Sequence, residues 1–103
     1  MASDSGGYEN LIIDFKDTVA TITINRPDVL NALNAETTLE LGRAVDSLAA
    51  DDRFHVLIIT GAGEQAFVAG ADIGVLATYD PVEAREAARL GQSTFDKIEE
   101  CGK

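Results

Sequence analysis

The sequence predicts an α/β domain: a β-hairpin leading to a helix and a buried strand, then a loop and a second helix. Three observations predict it. Leu11, Ile13 and Phe15 alternate with Ile12, Asp14 and Lys16, while Ala20, Ile22 and Ile24 alternate with Thr21 and Thr23. That period of two marks half-buried strands. Leu41, Ala44, Val45 and Leu48 recur at helical spacing, and Val56-Leu57-Ile58-Ile59-Thr60 is a continuous apolar run. Such a run belongs to a strand buried on both faces.

Each element has its own punctuation. Lys16-Asp17-Thr18 is short enough for a hairpin turn, although it contains no glycine. Pro27 ends the second strand, because proline cannot continue a central ladder. Asn34 reads as the N-cap of the first helix, with Glu36 in its first turn. Leu39 lies off that helix's apolar stripe, which predicts cover on more than one side. Gly61-Ala62-Gly63 breaks the apolar strand. Asp80, Pro81 and Glu83 form a capping-box pattern for the second helix. Its apolar side is Ala84, Ala87, Ala88, Gly91, Phe95 and Ile98, and Gly102 is a stop signal. The order strand, helix, strand predicts a right-handed βαβ crossover.

The bulk numbers narrow the function classes. The 103 residues suffice for one modest domain, and 46% hydrophobic residues exclude simple disorder despite a net charge of −10. Eighteen acids against eight bases argue against nucleic acid or an anionic membrane as partner. No apolar run approaches a membrane span. Residues 1–7 have neither a basic region nor an apolar core and read as a flexible lead-in, with the domain at 8–103. Cys101 is the only cysteine, so no intrachain disulfide forms. A cytoplasmic setting is expected.

Several motifs carry little chemistry. Gly61-Ala62-Gly63-Glu64-Gln65-Ala66 matches the dinucleotide pattern G-x-G-x-x-G/A after a strand. Residues 67–74 show no helical stripe, so a glycine turn is the preferred reading and a dinucleotide-binding fragment the alternative. His55 reads as a strand-edge residue, Cys101 as inert, and Glu99-Glu100 as solvated surface. No His/Cys cluster has metal-ligand spacing, so no metal is expected.

The segment Ala66-Phe67-Val68-Ala69-Gly70-Ala71-Asp72-Ile73 is different. Its small residues leave backbone N–H groups uncovered, and such donors can approach a ligand oxygen. Asp72 reads as a residue whose carboxylate pins local N–H groups.

Together with Asn25-Arg26-Pro27 and Leu30-Asn31-Ala32-Leu33-Asn34, this segment resembles the N-terminal half of the crotonase family, the enoyl-CoA hydratases and isomerases. The resemblance covers about residues 8–103. It implies a crotonase-like spiral of ββα turns and an acyl-CoA thioester substrate, with coenzyme A part of the substrate and no separate cofactor. It implies that the Ala71 N–H is the first of two oxyanion donors. Ala69, Ala71, Asp72 and Ile73 would line the coenzyme A and thioester region. Ala32 would approach the adenine and pantetheine side. Gly74 would lie on the same path, at a position where many relatives carry lysine or another larger residue. The resemblance also implies a homo-oligomer, a trimer or hexamer. The second donor and the catalytic glutamates of such enzymes fall after the equivalent of Lys103. The chain is therefore expected to be a fragment of an enoyl-CoA hydratase-like enzyme, inactive alone. Isomerase chemistry and a non-catalytic CoA-binding module are the alternatives.

Overall fold

The structure, a computed structural model, describes residues 2–3, 8–68, 70 and 77–103. Its sheet has four strands in the order β1-β2-β3-β4. The hairpin is β2 (Leu11–Lys16) and β3 (Val19–Ile24), antiparallel, with Leu11 opposite Ile24 and Lys16 opposite Val19. Two residues turn the chain between them. Asp17 takes the left-handed backbone, φ 54°, which aspartate tolerates better than most residues. The turn therefore dispenses with glycine.

The alternation read from sequence is the alternation observed. Leu11 and Ile13 from β2 and Ala20, Ile22 and Ile24 from β3 are buried, on one face of the pair. Helix α1 (Ala35–Ala49) covers that face with Leu41, Ala44, Val45 and Leu48. Each of these leucine and valine side chains contributes about 1.5–3 kcal/mol by leaving water, and the Ala44 methyl about 0.8 kcal/mol. Phe54, after the helix, closes the end of the core by stacking on Phe15 with ring centroids 4.9 Å apart.

Helix α1 begins where its cap predicts. Asn34 Oδ1 accepts the Thr37 N–H at 2.8 Å and satisfies one of the unpaired donors of the first turn. A second side of α1 is buried as well, through Thr38 and Gly42. Leu39, however, is exposed, so the two-sided cover does not include it.

Strand β4 (Val56–Gly61) pairs parallel to β3, with Val19 opposite Val56 and Ile24 opposite Gly61. The expectation of burial on both faces is corrected here. Val56 and Ile58 are 46% and 45% exposed. The physical reason is position: among the described residues β4 has a neighbour on one side only, and α1 sits over β2 and β3.

Helix α2 (Pro81–Glu100) opens with the full capping box, Asp80 accepting from Glu83 N–H and Glu83 accepting from Asp80 N–H. It crosses α1 at Gly42, where Thr94 Oγ1 donates to the Thr38 carbonyl at 3.3 Å. Lys97 pairs with Asp46 at 2.7 Å. Thr94 is the only buried residue named for this helix. Phe95, read as part of its apolar side, is exposed. Gly102 follows with φ 79°, the backbone expected of a helix stop.

Two residues read as lead-in belong to the sheet: β1 (Ala2–Ser3) pairs antiparallel with the free edge of β2. An unpaired edge offers N–H and C=O groups to any extended segment nearby. The rest of 1–7 lies outside the described residues. No helix among the described residues is long and apolar enough to cross a membrane.

Candidate functional site

Strands β3 and β4 run parallel and end together, at Ile24 and Gly61. The two loops that follow, 25–34 and 62–70, therefore leave from one edge of the sheet. In open α/β sheets ligands bind outside the carboxyl ends of strands. Of the residues singled out from the sequence as facing a ligand, Ala32 lies on the first of these loops, and the others lie outside the described residues.

Loop 25–34 starts with a single 3-10 turn, Pro27–Val29. Leu30 and Asn31 then both adopt left-handed backbone, φ 54° and 59°. For leucine that conformation costs about 1–2 kcal/mol, so the surrounding contacts must hold it. Asn31 supplies many of them. It is 1% exposed. Its N–H donates to the Arg26 carbonyl at 2.7 Å and its Oδ1 accepts the Arg26 N–H at 2.9 Å. Its Nδ2 donates across to the other loop, to the carbonyls of Ala62 at 2.9 Å and Ala66 at 3.0 Å.

Gly61 permits this approach. A Cβ there would overlap the Phe67 carbonyl oxygen and stand 2.7 Å from Asn31 Nδ2 and 2.8 Å from the Ala66 carbonyl oxygen. The glycine is needed for close packing of chain on chain. The dinucleotide alternative gains no support from this region. Residues 62–68 contain no helix, and Pro81 opens the first described helix after β4. Among the described residues no helix N-terminus stands over Gly61-Ala62-Gly63 to receive a pyrophosphate.

Ala32 is buried, and Arg26 Nη1 donates to its carbonyl. One residue on, the Leu33 N–H donates to the Gly70 carbonyl at 2.7 Å. The two loops are thus joined twice, by the Asn31 side chain and by the Leu33 main chain. Ala69, Ala71, Asp72, Ile73 and Gly74 lie outside the described residues.

Two cavities flank the junction. One, of about 500 Å³, is bounded by Leu33, Val68 and Gly70 on the loops and by Ala84, Ala88 and Phe95 on α2. The other, of about 310 Å³, lies between Pro27, Leu30 and Asn31 and residues 62–66. Asn31 and Gly61 went unread as site-building residues. The signal was an asparagine inside a short turn, since asparagine tolerates left-handed backbone.

His55 is exposed and its N–H donates to the Thr18 carbonyl at 2.8 Å, holding the start of β4. Glu99 and Glu100 are exposed. Cys101 packs against the core.

A hairpin, a crossover helix and a parallel strand that present two tied loops at one sheet edge define a class that known proteins share. The family model described as enoyl-CoA hydratase/isomerase matches residues 14–103, and the chain belongs to that family. It is 46% identical over 92 residues to the crotonyl-CoA hydratase of Syntrophomonas wolfei, covering 89% of this chain and 35% of that protein. It is 40% identical over 90 residues to the short-chain-enoyl-CoA hydratase of Clostridium acetobutylicum, covering 87% and 34%. An enoyl-CoA hydratase structure from Bacillus anthracis superposes with a TM-score of 0.88 at 30% identity, covering 90% of this chain and 36% of that one. An enoyl-CoA hydratase/carnithine racemase structure from Magnetospirillum magneticum gives 0.85 at 33%, with the same coverage. The chain spans about a third of the length of the curated relatives it matches.

Proposed function

We propose that this chain carries the first part of an enoyl-CoA hydratase active site, with the Ala71 N–H as one of two donors to the thioester oxygen. The observation that carries this reading is the hydrogen bond from Leu33 N–H to the Gly70 carbonyl. In a trans peptide the N–H lies antiparallel to the C=O of the same unit. A held Gly70 carbonyl supports this reading, because a peptide unit fixed at its C=O is fixed at its N–H as well. The same hydrogen bond polarises the peptide unit and strengthens that N–H as a donor.

The reaction puts a demand on such a donor. Water adds its oxygen to C3 of a 2-enoyl thioester, and a proton is delivered to C2. Between these events negative charge sits on the thioester oxygen. A fixed donor in a water-poor site stabilises that charge by about 3 kcal/mol. The flanking cavities suit a long ligand with unlike ends. The one against α2 is walled by Leu33, Val68, Ala84 and Phe95 and suits an acyl chain. The other, with Asn31, Glu64 and Gln65 on its wall, suits the polar end. Ala32, Ala69, Asp72, Ile73 and Gly74 would line the path between them. Hydration is preferred to isomerisation because both relatives above are named hydratases. No glutamate of this chain is assigned as acid or base. Coenzyme A enters as part of the substrate, and assembly as a trimer or hexamer in the cytoplasm belongs to the same proposal.

The test is a calorimetric titration of the 103-residue polypeptide with crotonyl-CoA, free CoA and NAD, with an assay of crotonyl-CoA hydration beside it. Preferential binding of crotonyl-CoA with negligible turnover is expected. Equal affinity for both CoA ligands would favour a non-catalytic CoA-binding module. NAD binding that disappears on changing Gly61 or Gly63 would sink the proposal.

A further inference from the structure

We infer that Asn31 is a positioning residue, which holds residues 62–68 against loop 25–34 and so supports the oxyanion donor proposed above. The inference rests on that functional reading and adds to it. Asn31 meets three demands at one place. Its backbone is left-handed, its Oδ1 accepts from Arg26 N–H, and its Nδ2 donates to two carbonyls four residues apart, Ala62 and Ala66. The amide cannot be turned over, because Arg26 N–H is a donor and both carbonyls are acceptors. Aspartate lacks the donors, serine and threonine have one, and glycine has none.

The spacing gives this network a direction. Asn31 and Leu33 lie two residues apart on one loop. Their partners Ala66 and Gly70 lie four residues apart on the other. Asn31 holds the start of the stretch and Leu33 its end. Without Asn31 the tie from Leu33 N–H to the Gly70 carbonyl is left without the hold at Ala66, and the Gly70 carbonyl is fixed less firmly. Gly61 keeps the space for this contact open.

The test compares the unchanged chain with Asn31→Gly and Asn31→Asp. The first substitution keeps the left-handed backbone and removes the amide. The second keeps the acceptor for Arg26 and removes both donors. Each form is titrated with crotonyl-CoA and free CoA, and amide hydrogen exchange is followed residue by residue. Both variants should lose the preference for crotonyl-CoA over free CoA. The Leu33 amide, which donates to the Gly70 carbonyl and shares the loop junction with Asn31, should exchange about tenfold faster or more, with β2, β3 and α1 unchanged. A residue that only braces the fold would weaken both ligands equally and loosen the sheet as well, and that result overturns the inference. A preference that survives in both variants overturns the role of Asn31 alone. No preference in the unchanged chain overturns the functional reading itself. Should both variants unfold, Gly61→Ala displaces the same carbonyls while leaving Asn31 in place, and it must abolish the preference too.

Discussion

Strands β3 and β4 lie side by side, run parallel and are built from nearly the same residue types, yet one is sealed and the other open. Ile22 in β3 is 0% exposed, whereas Ile58 in β4 is 45% exposed. Strand β3 has strands on both sides and α1 across one face. Among the described residues strand β4 has β3 alone. The helices differ in the same way: α1 buries eight residues, and α2 buries only Thr94. Hydrophobic sequence is therefore a demand for cover. What meets the demand is the arrangement of neighbours, and that varies from one strand to the next.

The largest expected effect tests this contrast directly. Ile22→Ala should cost about 2–5 kcal/mol in urea unfolding, because a cavity opens in a packed interior. Ile58→Ala should cost about 1 kcal/mol or less, since half of that side chain already meets solvent. Equal losses would break the comparison. Next comes Gly61→Ala, expected to cost about 1–3 kcal/mol by overpacking against Asn31 and the 66–67 carbonyls, read from the same unfolding curves.

The helix caps sharpen the contrast further. Asn34→Ala should destabilise the whole domain by about 1 kcal/mol, because α1 is part of the core. Asp80→Ala removes an equivalent cap, but α2 is lightly seated. Its effect should appear as faster amide exchange in the first turns of α2, with the global melt little changed.

The smallest effects are electrostatic, at the two ends of α1. Hydrogen bonds and charge from Arg53 lower the Asp51 carboxyl from 3.8 to about 2. Its folded value lies below its unfolded one, so its contribution is complete above pH 3.8 and is lost as pH falls towards 2. Asp51→Asn should flatten that part of a stability–pH curve. Glu36 is shifted the other way, first by its hydrogen bond with Glu9 and then by Glu9's charge. The protonated form is favoured in the fold, so that contribution is present at low pH and fades as pH rises through the raised value. Glu36→Gln should raise stability slightly at neutral pH. Glu36 is exposed and Asp51 half-buried beside solvent, so both effects are small.

What the sequence revealed, and what it hid, follows the same division between local and distant causes. The Asn34 cap, the Asp80–Glu83 capping box, the Gly102 stop and the alternation in β2 and β3 involve partners within a few residues. Each could be read directly. The exposure of Ile58 and Phe95 depends on which elements stand opposite them, which a local pattern does not encode. The candidate site was partly legible. The motifs around Ala32 and Ala66 fall on two loops that the structure ties together, but the Asn31–Ala66 and Leu33–Gly70 ties span more than thirty residues. A buried asparagine looks like any turn residue until its distant partners are known.

The close contact at Gly61 also bears on how the sheet finds its pairing. Strand β4 carries apolar residues on both faces, so a one-residue slip, which exchanges the faces, swaps like for like along most of its length. Sliding β4 by one residue along β3 would bring Thr60 or Ala62 to the place opposite Ile24 and beside Asn31. Both carry a Cβ, and that place accepts none. The residue that lets the two loops meet therefore also serves as a proofreading step for the sheet. A misaligned strand leaves Asn31 without its partners, so correct alignment and an assembled loop pair arrive as one event.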